Sequence, residues 1–321
     1  ERYGVHISRQ DMANWTIQCA ERYLAIMYDY LHSKLYTFSV LQADETTVFV
    51  NKDGRPAGSK SYMWLYRTVE SVQKEQILLY EYQKTRNSNH PRTFLKSFHG
   101  ICITDGYQVY HTLEQEREDL QIAGCWAHVR RRYDEALKAL PKEKRNQSTA
   151  HRGLVMIQAI YRNEKPLKEL SAEERRERRQ LSVKPLVEAY FTWVHATIGQ
   201  NMPKSILWEG LNYSINQERY LKVFLENGNV PIDNNASERS IRSFCIGRKN
   251  FVMIDTLHGA AASAIIYSIA ETAKANGLKP YEYFELLLTE IPKHLDDDDL
   301  NFCEKLLPWS KDLPEKCRKK Q

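Results

Sequence analysis

No two cysteines in this 321-residue sequence are spaced C-x-x-C; Cys19, Cys102, Cys125, Cys245, Cys303 and Cys317 stand singly. In a chain this long, that scatter excludes a disulfide framework of the secreted kind and reads as reduced cytosolic thiols. Zinc is not expected either. Cys125 and His128 form a C-x-x-H pair, but two ligands cannot close a tetrahedral site and no partner pair is evident. Long hydrophobic runs are also missing. The longest, "AAASAIIYSIA" at 260–270, is too short to span a bilayer and is followed directly by Glu271, so no membrane segment is expected. There is no basic-then-apolar leader, which points to the cytoplasm, and no internal repeat. The sequence begins "ERYG" rather than with Met and reads as a piece of a longer protein.

What is present suits a globular core with an additional unit. The length exceeds one typical domain, and 42% apolar with 27% charged residues is ordinary for a folded soluble chain. Lys and Arg outnumber Asp and Glu by 46 to 41, a net charge of +5 that permits a polyanionic partner without requiring one.

Residues 8–33 carry Met12, Trp15, Ile17, Tyr23, Leu24, Met27 and Leu31 at helical spacing behind Ser8 as N-cap. A strand-rich block follows. Residues 38–50 are alternating and β-branched, 51–59 read as a turn, and 61–69 and 76–83 continue a meander. A helix is predicted at 90–98, a short buried strand at 100–106 ending in Asp-Gly, a helix at 107–115 and a fifth strand at 120–128. This β-β-β-α-β-α-β order predicts a three-stranded meander feeding right-handed crossovers. From 129 to about 226 only helical pieces appear. After the connector "NGNVPIDNN" a helix runs from about 235, and two more, at 259–276 and 280–291, flank the Gly277–Pro280 stop. The run "EERRERR" reads as a solvated helix face with i,i+4 pairs. The charged tail is expected to pack only through Phe302, Leu306, Leu307 and Trp309.

Three acids stand out. Asp44 lies mid-strand, where Asp is depleted; either its face (Val40, Gln42, Asp44, Thr46, Val48) is half solvated or the acid has a task. Asp105 precedes Gly106, so it is either a turn residue or a ligand-facing group at the C-terminal end of a buried strand. Glu238 falls at N3 if Asn235 is the N-cap, which a capping box explains, yet Asp233, Asn234 and Asn235 already offer more capping groups than one helix needs. Together, an Asp on strand one, an Asp on strand four and a Glu on a helix after strand five form the ribonuclease-H-like arrangement for two divalent ions. Hard oxygen ligands suit Mg²⁺ or Mn²⁺, and two such ions support in-line displacement at phosphorus.

These residues also carry a resemblance. "LQADETTV" (41–48), "TDGYQVY" (104–110), "GCWAHVRRRYDEA" (124–136), "VPIDNNASERSIRSFCIGRKNF" (230–251) and "ETAKANGLKPYEYF" (271–284) resemble the bacterial DDE transposases of the insertion-sequence-66 (IS66) family, from about residue 8 to "LLPWSKDLP". The resemblance implies Asp44, Asp105 and Glu238 as catalytic and metal-binding acids, with two Mg²⁺ or Mn²⁺ ions per active site. It implies an α/β, ribonuclease-H-like core (a mixed five-stranded sheet with helices) interrupted by a large all-α insertion, with helical terminal segments. The expected divisions are a helical segment at 1–37, core at 38–128, insertion at 129–228, core with the glutamate helix at 229–292, and a tail at 293–321. Family members usually carry an upstream zinc-binding motif and a helix-turn-helix, of which only "HISRQDMANWTIQCAE" resembles a remnant here.

The implied activity is cleavage at transposon ends and strand transfer into target DNA. The alternatives are a structure-specific nuclease or resolvase on the same fold, and a domesticated, non-catalytic DNA-binding protein, against which the intact acids argue. The implied partners are terminal inverted repeats and target DNA, a second copy or more of the chain, and small accessory proteins, in a cytoplasmic, nucleoid-associated setting. Arg130, Arg131, Arg132, Arg239, Arg242, Arg248 and Lys249 are candidates for phosphate contact. Asn234, Asn235, Cys125 and His128 are candidate supporting residues. The Cys–His pair either positions the helical region or hydrogen-bonds near the site, or is a buried Cys with a satisfied His. Trp126 and Trp208 either stack on bases or, more simply, pack.

Overall fold

The computed structural model describes residues 7–56, 58–70, 72 and 74–319. The first six residues of the expected N-terminal segment, Ala57 of the expected turn and the last two tail residues lie outside these. The chain is mixed α/β. Helices α1 (Arg9–Cys19) and α2 (Ala25–Leu35) precede strands β1 (Val40–Lys52), β2 (Lys60–Thr68) and β3 (Leu78–Gln83). Next come α3 (Asn89–Phe94), β4 (Gly100–Ile103), α4 (Gln108–Glu116) and β5 (Leu120–Ala123). Helices α5 (Trp126–Lys138), α6 (Lys142–Arg145), α7 (Thr149–Glu164), α8 (Ala172–Arg178), α9 (Lys184–Ile198) and α10 (Ile206–Glu226) follow without an intervening strand. Helix α11 (Asn235–Phe251), strand β6 (Ile254–Thr256), and helices α12 (Leu257–Ala275), α13 (Pro280–Glu290) and α14 (Phe302–Leu306) complete the order. No helix among the described residues is long and apolar enough to cross a membrane. All six cysteines are free thiols.

The chain divides into two compact units, residues 1–99 with 236–321, and residues 100–235. In the first, Ser8 caps α1 through a reciprocal box with Asp11, as its sequence predicts. β1, β2 and β3 form the antiparallel meander, and the short β6, not foreseen in the sequence, pairs parallel with β1 through Val50 and Ile254. The register puts Gln42, Asp44, Thr46 and Val48 on one face with Met63, Leu65, Arg67, Leu78 and Tyr80. That face is covered: Val48, Met63, Leu65, Leu78 and Tyr80 pack against Ile241 and Phe244 of α11 and Ala264 of α12. Asp44 therefore sits half-buried under helices rather than on a solvated face. The outer edge of β3 and the residues leading into it are closed by hydroxyls of α12 and the amide of its C-cap Asn276, spaced i, i+4, i+8. Ser268 Oγ accepts from Tyr80 N–H, Thr272 Oγ1 exchanges hydrogen bonds with Leu78, and Asn276 does so with Gln76. A helix face thus does what a further strand would do for an exposed edge. The tail buries Cys303, Leu313 and Cys317 as well as Leu306 and Leu307, more than its charged sequence suggests.

On the other face of the meander, Glu45, Trp64 and Glu81 are in register. Burial pushes the Glu81 carboxyl from its ordinary 4.5 up to about 7, against the opposing hydrogen bond from Gln83. The folded chain thus keeps a proton that the unfolded chain releases. This contribution to stability is full below about pH 4.5 and is lost as pH rises through about 7. The stability difference between wild type and Glu81→Gln should therefore fall by about 3 kcal/mol across that window and stay level on either side. Denaturant melts at pH 4, 5.5 and 8 measure it; an unchanging difference would refute the assignment.

In the second unit β4 and β5 pair parallel, Gly100 with Leu120 through Ile103 with Ala123. The helices that follow bury Trp126, Tyr133, Tyr190, Phe191 and Phe224 together. Trp126 is a packing residue whose indole N–H donates to Leu221 O. The "EERRERR" run departs from its solvated reading. Arg175 and Arg179, one turn apart, are buried, while Glu173, Glu174, Arg176, Glu177 and Arg178 stay exposed.

Candidate functional site

In the first unit the site is organised by how α11 lies on the meander. Ser237, Ile241 and Phe244 form its buried centre line. One flank faces β2 and β3: Arg67 donates to Ala236 O and Ser240 Oγ, and Tyr80 OH donates to Ser240 O. The opposite flank faces β1, where Cys245 Sγ contacts Thr46 Oγ1 and Arg248 donates to Thr46 Oγ1, 3.1 Å away, and to Thr47. Glu238, seven residues before Cys245, lies on that same flank, two helical turns nearer the helix start. The Arg67 contacts fall beside Gln42 and the Cys245 contact at Thr46, so α11 runs alongside β1 in the strand's own direction. Asp44 lies between those two rows, on the face that α11 covers. Its Oδ1 accepts from the Glu45 amide, 2.8 Å away.

Helix α11 starts at Asn235, so Asn234 is the cap position and Glu238 falls at N4, one place beyond a capping box. The sequence reading that made Asn235 the cap is off by one residue.

In the second unit Asp105 follows β4, where the Thr104 amide still pairs with Ala123 O. Its Oδ1 accepts from Tyr107 N–H at 3.0 Å, and Tyr213 OH donates to its carbonyl at 2.6 Å. Gly106 has φ +87°, and a Cβ there would lie 2.9 Å from Gln217 and Tyr213, so the turn needs glycine for both conformation and space. The Asp-Gly turn is real, and the Tyr107 amide fixes the direction of the Asp105 carboxylate within it.

Cys125 caps α5 without a side-chain bond to it and instead accepts from the amide of the fully buried Asn234, at 3.2 Å. Next to it, Trp126 N–H donates to Ile232 O. Burial pushes the Cys125 thiol up to about 12, only partly offset by the Asn234 amide, so the group stays a neutral thiol. Asp233 accepts from Tyr161 OH and from both nitrogens of Asn235. The connector 232–235 is thus fastened residue by residue, and Cys125 serves it as a hydrogen-bonding dock. Cys125→Ala would leave the Asn234 amide buried without its acceptor and should cost about 1–3 kcal/mol. Urea melts of that variant beside Cys125→Ser test it; an unchanged midpoint for Cys125→Ala would contradict the dock.

Of the cationic candidates, Arg130, Arg131, Arg239, Arg242 and Lys249 are exposed. Arg248 is occupied on β1, and Arg132 lies over the Tyr213 ring at 4.4 Å. The sequence reading missed Arg67. Its parity with Met63 and Leu65, an arginine on an otherwise apolar strand face, was the signal. Among the described residues no three His, Cys, Asp or Glu side chains are grouped so as to hold a metal ion.

Comparisons with known proteins agree in direction. The chain matches the model of the "Transposase IS66 family" over residues 1–262 and that of the "IS66 C-terminal element" over 268–309. Among curated proteins of Sinorhizobium fredii, it is 28% identical to uncharacterized protein y4qI over 319 residues, covering 96% of this chain and 57% of that protein. It is also 25% identical to uncharacterized protein y4jD over 316 residues, covering 96% of this chain and 60% of that protein. The chain thus spans somewhat more than half the length of these relatives. With one family model covering most of its residues and the C-terminal element covering most of the rest, the chain belongs to the IS66 transposase family.

Proposed function

We propose that this chain is the catalytic region of a DDE transposase, a ribonuclease-H-like core with a helical insertion, acting on transposon-end and target DNA. Asp44, Asp105 and Glu238 are its catalytic acids. The observation that carries the reading is the placement of Glu238 on the flank of α11 that faces β1, beside the covered strand face holding Asp44. Family membership supports it from a separate direction.

The donor set suits hard divalent cations, since all three groups are carboxylates and each is half-buried rather than sealed in the core. Mg²⁺ or Mn²⁺, when bound, would supply activation of the attacking oxygen and charge stabilisation at phosphorus. The chain's own residues do the rest. Asp44 is held by the strand, Asp105 by its turn with Tyr107 and Tyr213, and Glu238 by the seating of α11. Water attacks the phosphodiester at the transposon end and expels the 3′-oxygen. The freed 3′-hydroxyl then attacks a target phosphodiester and expels a target 3′-oxygen. Arg130, Arg131, Arg239, Arg242 and Lys249 supply sequence-independent phosphate contacts. A second copy of the chain, and small accessory proteins of the same element, belong to the proposed assembly.

The test is a strand-transfer assay with pre-cleaved transposon-end DNA and Mn²⁺, comparing wild type with Asp44→Ala, Asp105→Ala and Glu238→Ala. Joining that survives all three substitutions would sink the proposal. Cleavage without joining would replace it with a nuclease.

A further inference from the structure

We infer that Arg67 is a positioning residue that sets the rotation of α11 and so the direction of Glu238; the inference rests on the catalytic role proposed for that acid. Arg67 occupies a strand face whose neighbours at the same parity, Met63 and Leu65, are wholly buried, and its own side chain is 5% exposed. A methionine would complete that apolar face without the desolvation that holds the Arg67 pKa below its ordinary value. The arginine instead makes five hydrogen bonds, one for each guanidinium N–H. Nε donates to Thr68 O, one terminal nitrogen to Ala236 O and Ser240 Oγ, and the other to Glu70 and Gln76. Its one carboxylate partner, Glu70, is 70% exposed, so ion pairing is not what justifies the burial.

The acceptors on α11 explain it better. Ala236 and Ser240 are one turn apart and bracket Glu238, which projects from the other side of the helix toward β1. Ser240 Oγ also donates to Ala236 O, and Tyr80 OH to Ser240 O, closing a small polar lock on the β2–β3 flank. Burial, above all, holds the Tyr80 phenol far up, so it stays a donor. A helix pinned along one flank cannot roll. A roll of about 20° would carry a carboxylate some 6 Å from the axis by about 2 Å. A functional constellation tolerates only about 0.5 Å.

The experiment uses the whole chain as wild type, Arg67→Met, Arg67→Lys, Ser240→Ala, Glu238→Gln and the Arg67→Met/Glu238→Gln double variant. Mn²⁺ binding is read from the free-ion electron paramagnetic resonance signal. Mn²⁺-dependent nicking of supercoiled plasmid, duplex DNA affinity and thermal melting are measured beside it. Arg67→Met should weaken Mn²⁺ binding, and raise the Mn²⁺ needed for half-maximal nicking, by about 10-fold or more, with DNA affinity unchanged. Arg67→Lys should recover part of this, Ser240→Ala should shift the same way by less, and Arg67→Met should add no further loss of Mn²⁺ binding to Glu238→Gln. Folded Arg67→Met and Ser240→Ala proteins that melt earlier yet bind Mn²⁺ as wild type does would overturn the inference and leave the catalytic reading standing. If Arg67→Met fails to fold, Arg67→Lys and Ser240→Ala decide on the same criterion. A wild type that neither binds Mn²⁺ nor nicks overturns the catalytic reading, and this inference with it.

Discussion

Single replacement of Asp44, Asp105 or Glu238 by Ala is expected to lower DNA joining by at least about 10³-fold, the equivalent of about 4 kcal/mol of transition-state stabilisation. The three losses should be similar in size, and pairs of substitutions should cost little more than one. Groups that act as a unit on the same reacting phosphorus are not additive, because the first loss already disables the constellation. DNA affinity should hardly move, since the exposed arginines and Lys249, not the acids, are proposed to meet phosphate. The two aspartate substitutions also have structural controls. Asp44→Ala removes the acceptor for the Glu45 amide, and Asp105→Ala that for the Tyr107 amide. Asp→Asn variants keep an acceptor oxygen while losing the charge, so they should fold as wild type does and still fail to join DNA. Asn variants that join DNA at the wild-type rate would show that the carboxylates orient turns and nothing more.

Strands one to four were legible because each is an alternating or β-branched run bounded by turn residues, and α11, α12 and α13 because of their periodicity and the Gly-Leu-Lys-Pro stop. The fifth is shorter than its sequence suggests: β5 ends at Ala123, and residues 126–128, expected in it, open α5. β6 was not legible. Three residues carry no alternation, and its position depends on a partner, Val50, two hundred residues away. The acids at 44, 105 and 238 could be singled out from local context, since each is an acid where a simpler residue would serve. Their surroundings could not. That Asp233 takes both nitrogens of Asn235 at the start of α11 depends on the folded connector. That Asp44's face is covered depends on α11 and α12 packing there. Charge misled most. Arg67, Arg175 and Arg179 read as surface residues by type, yet all three are buried because each answers backbone carbonyls that only the tertiary fold brings near. Strand parity would have exposed the first, and i,i+4 spacing the other two.

Arg179 gives the largest expected effect on stability. Its guanidinium and the Glu164 carboxylate are 1% and 6% exposed, with Nε 3.1 Å from both carboxylate oxygens. The other terminal nitrogen donates to Phe224 O and Asn227 O, and the charge lies 5.0 Å from the centre of the Phe224 ring. Those carbonyls belong to the C-terminal end of α10 and the connector after it, where no further helical turn exists to satisfy them and where a cation is favoured by the helix dipole. Gln180 answers Leu225 O beside them, and Arg175 answers Gly228 O. Removing one member of a buried pair leaves the other charged and unpartnered, so Glu164→Ala or Arg179→Met should each cost about 3–5 kcal/mol in urea unfolding. The double variant Glu164→Leu/Arg179→Met should recover much of that, since replacing both charges with apolar groups removes the desolvation problem along with the attraction. It should not recover everything, because Phe224 O and Asn227 O still lose their donor. That residue of the loss separates the two duties of Arg179. A double variant as unstable as the worse single one would mean that the carbonyls, not Glu164, account for the burial of this arginine. Full recovery would mean the reverse, and that the connector leading to Asn234 and α11 keeps its shape without it.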